Sequence, residues 1–342
     1  LVLAPPEPGR VGEPGGASWI RRLGAGGRLV PLGAILVAQA HQSVALLRSN
    51  TAFLDEATYL AAGHQLLHRF AHGGPNLNYE TYFSGAPVVY PVLAAWVDGL
   101  GGLAAARGLS LACMLLATTL AYASARRLFG TVAGWFAAAA FATVEGTMFL
   151  GAFATYDAMA LALTTVACWV AVRLATADRY LPHAGLFLAA PVMVLANVTK
   201  YATCAYDLAV VAIAALVVAS RYGWRQGLRT GAVLGGLTVA LLAALLAVAG
   251  PRYLAGVTST TLTRANGATP PSVVRADSLA WVGALAGLAL LAVLAAVVAA
   301  ARGRARWADA ALVAVLMLTV LLAPLNQMRI HTSTSLSKHV DF

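Results

Sequence analysis

Ala86-Pro87-Val88-Val89-Tyr90-Pro91-Val92-Leu93-Ala94-Ala95-Trp96-Val97-Asp98-Gly99-Leu100-Gly101-Gly102-Leu103 is the stretch on which the topology of this chain turns. It is apolar enough to be taken for a membrane span, yet prolines, glycines and an aspartate interrupt it. As a span it would put Arg126 and Arg127 outside, against the preference of Lys and Arg in short loops for the cytoplasmic side. A helix lying along the outer interface avoids this, with Trp96 and Asp98 at headgroup level and Pro87 and Pro91 at its start.

The rest of the chain is consistent with that choice. Of 342 residues, 60% are hydrophobic and 11% charged, and the mean hydropathy is +0.76, the composition of an integral membrane protein. Apolar runs lie at residues 29–47, 105–125, 131–150, 156–174, 183–199, 203–220, 230–249, 278–301 and 309–324, and none alternates with period two as a barrel strand does. Each is roughly a bilayer thick, which gives about nine spans and an all-α polytopic bundle.

With the amino terminus inside, the inner loops collect Arg21, Arg22, Arg28, Arg126, Arg127, Arg173, Arg179, Arg221, Arg225, Arg229, Arg302, Arg304 and Arg306. Asp55, Glu56, Glu80, Asp98, Asp157, Asp207, Asp277 and Asp341 then fall outside or near outer helix ends. The first outer loop is long, residues 48–104. Within it, residues 55–70 put Tyr59, Leu60, Gly63, Leu66, Leu67 and Phe70 on one face, which predicts a second interfacial helix.

Residues 1–18, rich in Pro and Gly, read as a disordered cytoplasmic tail with no signal-peptide core, ahead of a transmembrane domain over 19–342. The chain opens at Leu1 and stops at Phe342 where a further span is expected, so a longer protein is anticipated. Cys113, Cys168 and Cys204 lie in or beside apolar runs, which predicts buried thiols and no disulfide framework.

Ionisable groups beside hydrocarbon are costly and mark function or pairing. Asp55 opens the helix predicted after the first span, as a cap or as a working carboxylate. Asp157 opens the fourth span and Lys200 closes the fifth, so the two can form an ion pair or face a substrate. The loop from 250 to 277 carries Arg252, Arg264 and Arg275, and the last stretch carries Arg329, His331, Lys338 and His339. Such cations bind phosphate oxygens by charge-assisted hydrogen bonds; for Arg275 and Arg329 lipid-headgroup anchoring is the expectation. His64, His68 and His72 share a helical face but lack the ligand pattern of a zinc site. A divalent ion such as Mg or Mn held by Asp55 and Asp157 is the more plausible metal.

Five stretches resemble a known family: Phe53-Leu54-Asp55-Glu56-Ala57-Thr58-Tyr59, Ala106-Arg107-Gly108-Leu109-Ser110, Ala125-Arg126-Arg127-Leu128-Phe129-Gly130, Thr155-Tyr156-Asp157-Ala158 and Val198-Thr199-Lys200. In order, spacing and sidedness they are similar to GT-C fold membrane glycosyltransferases of the family 39 group, which includes protein O-mannosyltransferases and the lipid A aminoarabinose transferase. The resemblance covers residues 29–220. It implies a multi-pass cell-membrane enzyme with an extracytoplasmic active site. That enzyme would move a sugar with inversion from a polyprenyl phosphate to a glycan, lipid or protein acceptor; membrane lipid is a further partner and nucleic acid is not.

On that resemblance Asp55 maps onto the carboxylate of the catalytic cavity, Asp157 onto the aspartate opening the fourth span, and Lys200 onto the lysine ending the fifth. Glu56 and Tyr59, on the same stretch as Asp55, are expected to contact substrate, as are Lys338 and His339. Some relatives carry Lys-Pro or His-Pro-Pro in the first outer loop where this chain has Gly85-Ala86-Pro87, so Arg264 is the expected phosphate ligand in its place. A transporter or lipid flippase is the alternative reading. Transporters place coupling charges near the bilayer midplane and often carry an internal repeat, and neither is evident here.

Overall fold

The computed structural model describes residues 29–47, 51–75, 77–177 and 185–333. The tail over 1–18, Arg21, Arg22, Arg28, Arg179, Lys338, His339 and Asp341 lie outside the described residues. Within them the chain is helical without a strand. In order run α1 (Val30–Leu46), α2 (Leu54–His72), α3 (Tyr90–Phe129), α4 (Thr131–Thr143), α5 (Glu145–Ala152), α6 (Tyr156–Ala175) and α7 (Leu186–Thr199). A 3-10 turn (Tyr201–Thr203) follows, then α8 (Cys204–Tyr222), α9 (Trp224–Thr261), α10 (Pro271–Ala301) and α11 (Trp307–Arg329).

Among the described residues six helices, or seven counting the pair α4 and α5 bent by 66°, are long and apolar enough to cross a membrane. The chain is a polytopic helical membrane protein. Helices α1 and α7 are apolar but shorter, at 17 and 14 residues. Every apolar run read from the sequence thus carries a helix, and two are shorter than a full crossing.

The decisive stretch at 86–103 starts α3, whose Pro91 sits in the first turn, where a missing N–H costs nothing. Helical geometry then fails at Gly101 and Gly102, and Gly102 takes φ +68, a left-handed setting that only glycine adopts without strain. The break separates the first eleven residues from the remainder of α3, close to the boundary the arginines required.

Helix α6 is central and packs on α3, α7 and α8. Its contacts are largely small side chains: Ala167, Ala171, Ala189, Ala190 and Ala214 are buried together with Val170, Leu186, Met193, Val210 and Leu234. Small residues let helix backbones approach closely where lipid offers no hydrophobic drive for association. By contrast α10 packs chiefly on α11 and exposes most of its length.

The bundle has two chemically different ends. At one, the carboxyl ends of α3, α6 and α8 meet the start of α11. Arg127 Nε donates to Thr176 Oγ1 at 2.5 Å, Arg221 Nη1 to the Thr176 carbonyl at 3.0 Å, and Ser220 Oγ to Asp309 Oδ1 at 2.5 Å. The described arginines assigned to inner loops belong to this end. The amino ends of α2 and α6 and the carboxyl ends of α7, α9 and α11 gather at the other.

Candidate active site

At that second end lies a cavity of about 460 Å³, lined by residues from all three thirds of the chain. Asp55 comes from the first turn of α2, Asp157 from the first turn of α6, and Lys200 from the joint after α7. Arg264 comes from the loop after α9, and Arg329 from the last turn of α11. Asp55, Tyr59, Asp157, Lys200 and Arg264, chosen separately from the sequence, surround one space.

Glu56 does not join them, contrary to expectation. It is fully buried and its carboxylate accepts four hydrogen bonds. Two come from Arg107, Nε at 2.8 Å and Nη2 at 2.9 Å; the others come from the Ala154 and Phe53 N–H groups, each at 2.8 Å. Phe53 is the N-cap of α2, so Glu56 at N3 takes the capping role open to a carboxylate at this helix start. Burial opposes ionisation of Glu56, but the Arg107 guanidinium and the two backbone donors outweigh it and hold its pKa below the usual carboxylate value. The contact ties the turn bearing Asp55 to α3 and to the segment that starts α6. Glu56 is therefore a brace behind the cavity.

Tyr59 reaches the cavity from the next turn of α2 and is almost fully buried. Its ring lies 4.7 Å from that of Tyr156, 5.1 Å from Phe83 and 6.1 Å from Tyr90, centroid to centroid. Burial pushes its hydroxyl pKa up, with the neighbouring Tyr156 and Asp157 adding to the rise, so it serves as a neutral hydrogen-bonding group. Of these rings Tyr59, Phe83 and Tyr156 line the cavity and form an aromatic wall.

Lys200 Nζ is ion-paired to Asp157 Oδ1, and both side chains are buried. The ammonium also sits 5.9 Å from the Tyr156 ring centroid, within cation–π reach. The pairing reading and the substrate-facing reading hold together, because both residues also line the cavity. A buried pair is a weak source of net stability, since desolvation offsets most of the attraction. Two charges kept at a cavity wall serve a charged ligand better than they serve the fold.

Arg264 and Arg329 line the same cavity, and the backbone ties their segments together. The Gly267 N–H donates to Ile330 O at 2.8 Å and the Thr269 N–H to His331 O at 3.1 Å, joining the loop of Arg264 to the chain just after Arg329. Arg329 donates to Asn326 Oδ1 from Nη2 at 3.1 Å and from Nε at 3.4 Å. Arg329, expected as a headgroup anchor, thus lines the cavity, while Arg275 is exposed on α10 and does not. Tyr156, Tyr201, Thr260, Thr261 and Asn326 also line it and escaped the sequence reading. The signal for Asn326 was a polar side chain one turn before an arginine at a span end.

Segment 84–86 makes backbone contacts on both sides of Lys200. The Ala86 N–H donates to Val198 O at 2.7 Å and the Tyr201 N–H to Ser84 O at 2.9 Å. A Cβ on Gly85 would lie 2.1 Å from the Thr199 carbonyl oxygen.

Among the described residues no group of three or more His, Cys, Asp or Glu side chains is placed to hold a metal. His64 Nε2 contacts Asp98 Oδ2 at 2.7 Å, and the rings of His68 and His72 stack at 4.7 Å. A divalent ion between Asp55 and Asp157 fits poorly, because the Lys200 ammonium already neutralises Asp157 and would repel a cation. The thiols of Cys113 and Cys168 are partly buried and that of Cys204 is exposed, all three free of disulfides.

Residues 87–249 match the family model described as dolichyl-phosphate-mannose-protein mannosyltransferase. Over that segment the chain is similar to this GT-C type family of membrane glycosyltransferases. The family uses polyprenyl-phosphate sugar donors. Arg107, Asp157 and Lys200 lie inside the matched segment; Asp55, Arg264 and Arg329 lie outside it. No curated protein and no solved structure matches the chain.

Proposed function

We propose that this glycosyltransferase moves a sugar with inversion from a polyprenyl-phosphate donor to a hydroxyl of an extracytoplasmic glycan, lipid or protein, with Asp55 as general base. The observation that carries the reading is the meeting of Asp55, Asp157, Lys200, Arg264 and Arg329 around one cavity at the end of the bundle opposite the arginine-rich loops. The positive-inside preference puts that end outside. A volume of about 460 Å³ lies in the range that takes a sugar with its phosphate.

In this mechanism the acceptor oxygen loses its proton to the Asp55 carboxylate as it attacks the anomeric carbon. The bond from that carbon to the phosphate oxygen breaks, and its electron pair leaves with polyprenyl phosphate. General base catalysis of this kind contributes about 10²–10⁴-fold in rate. Charge developing on the leaving phosphate is met by Lys200, Arg264 and Arg329, fixed in advance in a partly dry site. Asp157 holds the Lys200 ammonium and tempers its charge until the phosphate arrives. Tyr59 and Tyr156 face the sugar. The transporter alternative is disfavoured because the ionisable groups sit at the ends of the helices and not at their middles.

The test is transfer of labelled sugar from a panel of polyprenyl-phosphate sugars by the chain in proteoliposomes, beside Asp55→Asn and with and without a chelator. Turnover of one donor by the wild-type chain alone, with an inverted anomeric centre and no loss on chelation, is the expected result. Equal turnover by Asp55→Asn would remove the base assignment. Uptake of intact donor without transfer would favour the transporter.

A further inference from the structure

Lys200 is not carried by a regular element. It is the single residue between α7 and the 3-10 turn, extended at φ −149 and ψ 117, so the direction of its side chain is set by whatever fixes that joint. Segment 84–86 fixes it from outside, through the two backbone hydrogen bonds around Gly85. From inside, the Lys200 carbonyl accepts from the Thr203 N–H at 3.1 Å and from Thr203 Oγ1 at 2.8 Å. The one hydroxyl proton of Thr203 is shared with a second acceptor, Asn197 Oδ1, also at 2.8 Å. Asn197 Nδ2 in turn donates to Asp207 Oδ2 at 2.7 Å. Asn197 and Thr203 are each 1% exposed.

A chain of polar groups among apolar helices is costly unless each member is satisfied, and fully satisfied it fixes one geometry. Here it spans the last turn of α7, the joint and the first turn of α8, and the member of the set that lines the cavity is Lys200. We propose that Asn197, Thr203 and Asp207 are positioning residues for the donor phosphate, acting by aiming Lys200 at the cavity wall. This rests on the reading that Lys200 meets that phosphate.

The hydrogen-bond directions give a specific test. Asn197→Asp faces one carboxylate with another, whereas Asn197→Asp combined with Asp207→Asn restores both bonds. In the double variant the introduced carboxylate accepts from Thr203 and from the introduced amide. The measurement is donor KM, kcat and melting temperature of the chain in proteoliposomes, using the polyprenyl-phosphate sugar identified by the panel. Asn197→Asp is expected to raise donor KM about tenfold with kcat changed less than about twofold, and the double variant to return KM to within about twofold of wild type, a coupling typical of groups in one network. Should Asn197→Asp not accumulate, Thr203→Val reads the same shift by removing the hydroxyl at constant volume. Unchanged KM in the variant measured, or a double variant no better than the single, overturns the positioning role. A fall in melting temperature alone reduces the network to a structural one. Lys200→Ala in the same assay separates the two levels: if its donor KM is normal the phosphate reading of Lys200 fails, and if its KM rises while that of Asn197→Asp does not, only the positioning inference fails.

Discussion

The two ends of α6 are built from similar materials and do different things. At its start, Asp157 pairs with Lys200 from the joint after α7; just past its close, Thr176 receives Arg127 and Arg221 from two neighbouring helices. Both are polar contacts that tie packed helices together. At the Thr176 end the donors are spent on helix-terminal oxygens and on each other's neighbours, as chain ends in a bundle require. At the Asp157 end the charged atoms line a cavity shared with two arginines and a second aspartate. A polar group is a functional candidate when its remaining bonding capacity faces a void, and a structural one when its capacity is used up within the fold.

The comparison is broken most directly at Asp55. Asp55→Asn keeps the shape and loses the base, and is expected to lower transfer by about 10²–10⁴-fold with donor binding retained. Single-turnover transfer beside equilibrium donor binding checks it.

Glu56, one residue on, sharpens the contrast. Glu56→Ala leaves Arg107 buried without its counter-charge and is expected to destabilise the bundle by about 3–5 kcal/mol, read as a lower melting temperature in detergent. The sign with pH follows from its lowered pKa. Folding favours the ionised form, so the stabilisation is present above the free-carboxyl value of 4.5 and is lost as pH falls through the lower native value. Acid melting curves of the wild-type chain, measured below that value, should show this loss.

Lys200→Ala should weaken donor binding about tenfold, the scale of one charge-assisted contact to phosphate. Titration with a non-transferable donor analogue measures it. The smallest effect belongs to the opposite end: Arg127→Ala removes one hydrogen bond to Thr176 and should cost about 1 kcal/mol of stability with donor KM unchanged. A large effect of Arg127→Ala on KM would erase the distinction between the two ends.

Much of this was legible in the chain. Charge sorting placed Asp55, Asp157 and Lys200 at one end and the arginines of short loops at the other, because the cost of burying charge acts on each segment independently. The sequence reading separated 86–103 from the span starting at 105 on charge grounds; the structure puts the break at Gly101 and Gly102. That Arg329 lines the cavity was not legible, because the loop at 263–270 is distant in sequence and meets the chain just after Arg329 through backbone hydrogen bonds that any residues could make. Glu56 was misread because its role is set by Arg107 and Ala154, 51 and 98 positions away.

What the sequence determined by itself was the membrane class, the positions of the helices and a short list of polar residues at their outer ends, since periodicity and transfer free energy are local properties. Which of two adjacent carboxylates lines the cavity was decided by the tertiary structure. Successive residues on a helix point about 100° apart, and here Asp55 lines the cavity while Glu56 is turned to Arg107. The roll of α2 is fixed by its packing against α3, where Gly63 sits against the Pro91 backbone so closely that a Cβ would lie 1.9 Å from its carbonyl oxygen. That contact turns Asp55 toward the cavity and Glu56 toward Arg107, a choice no local pattern contains.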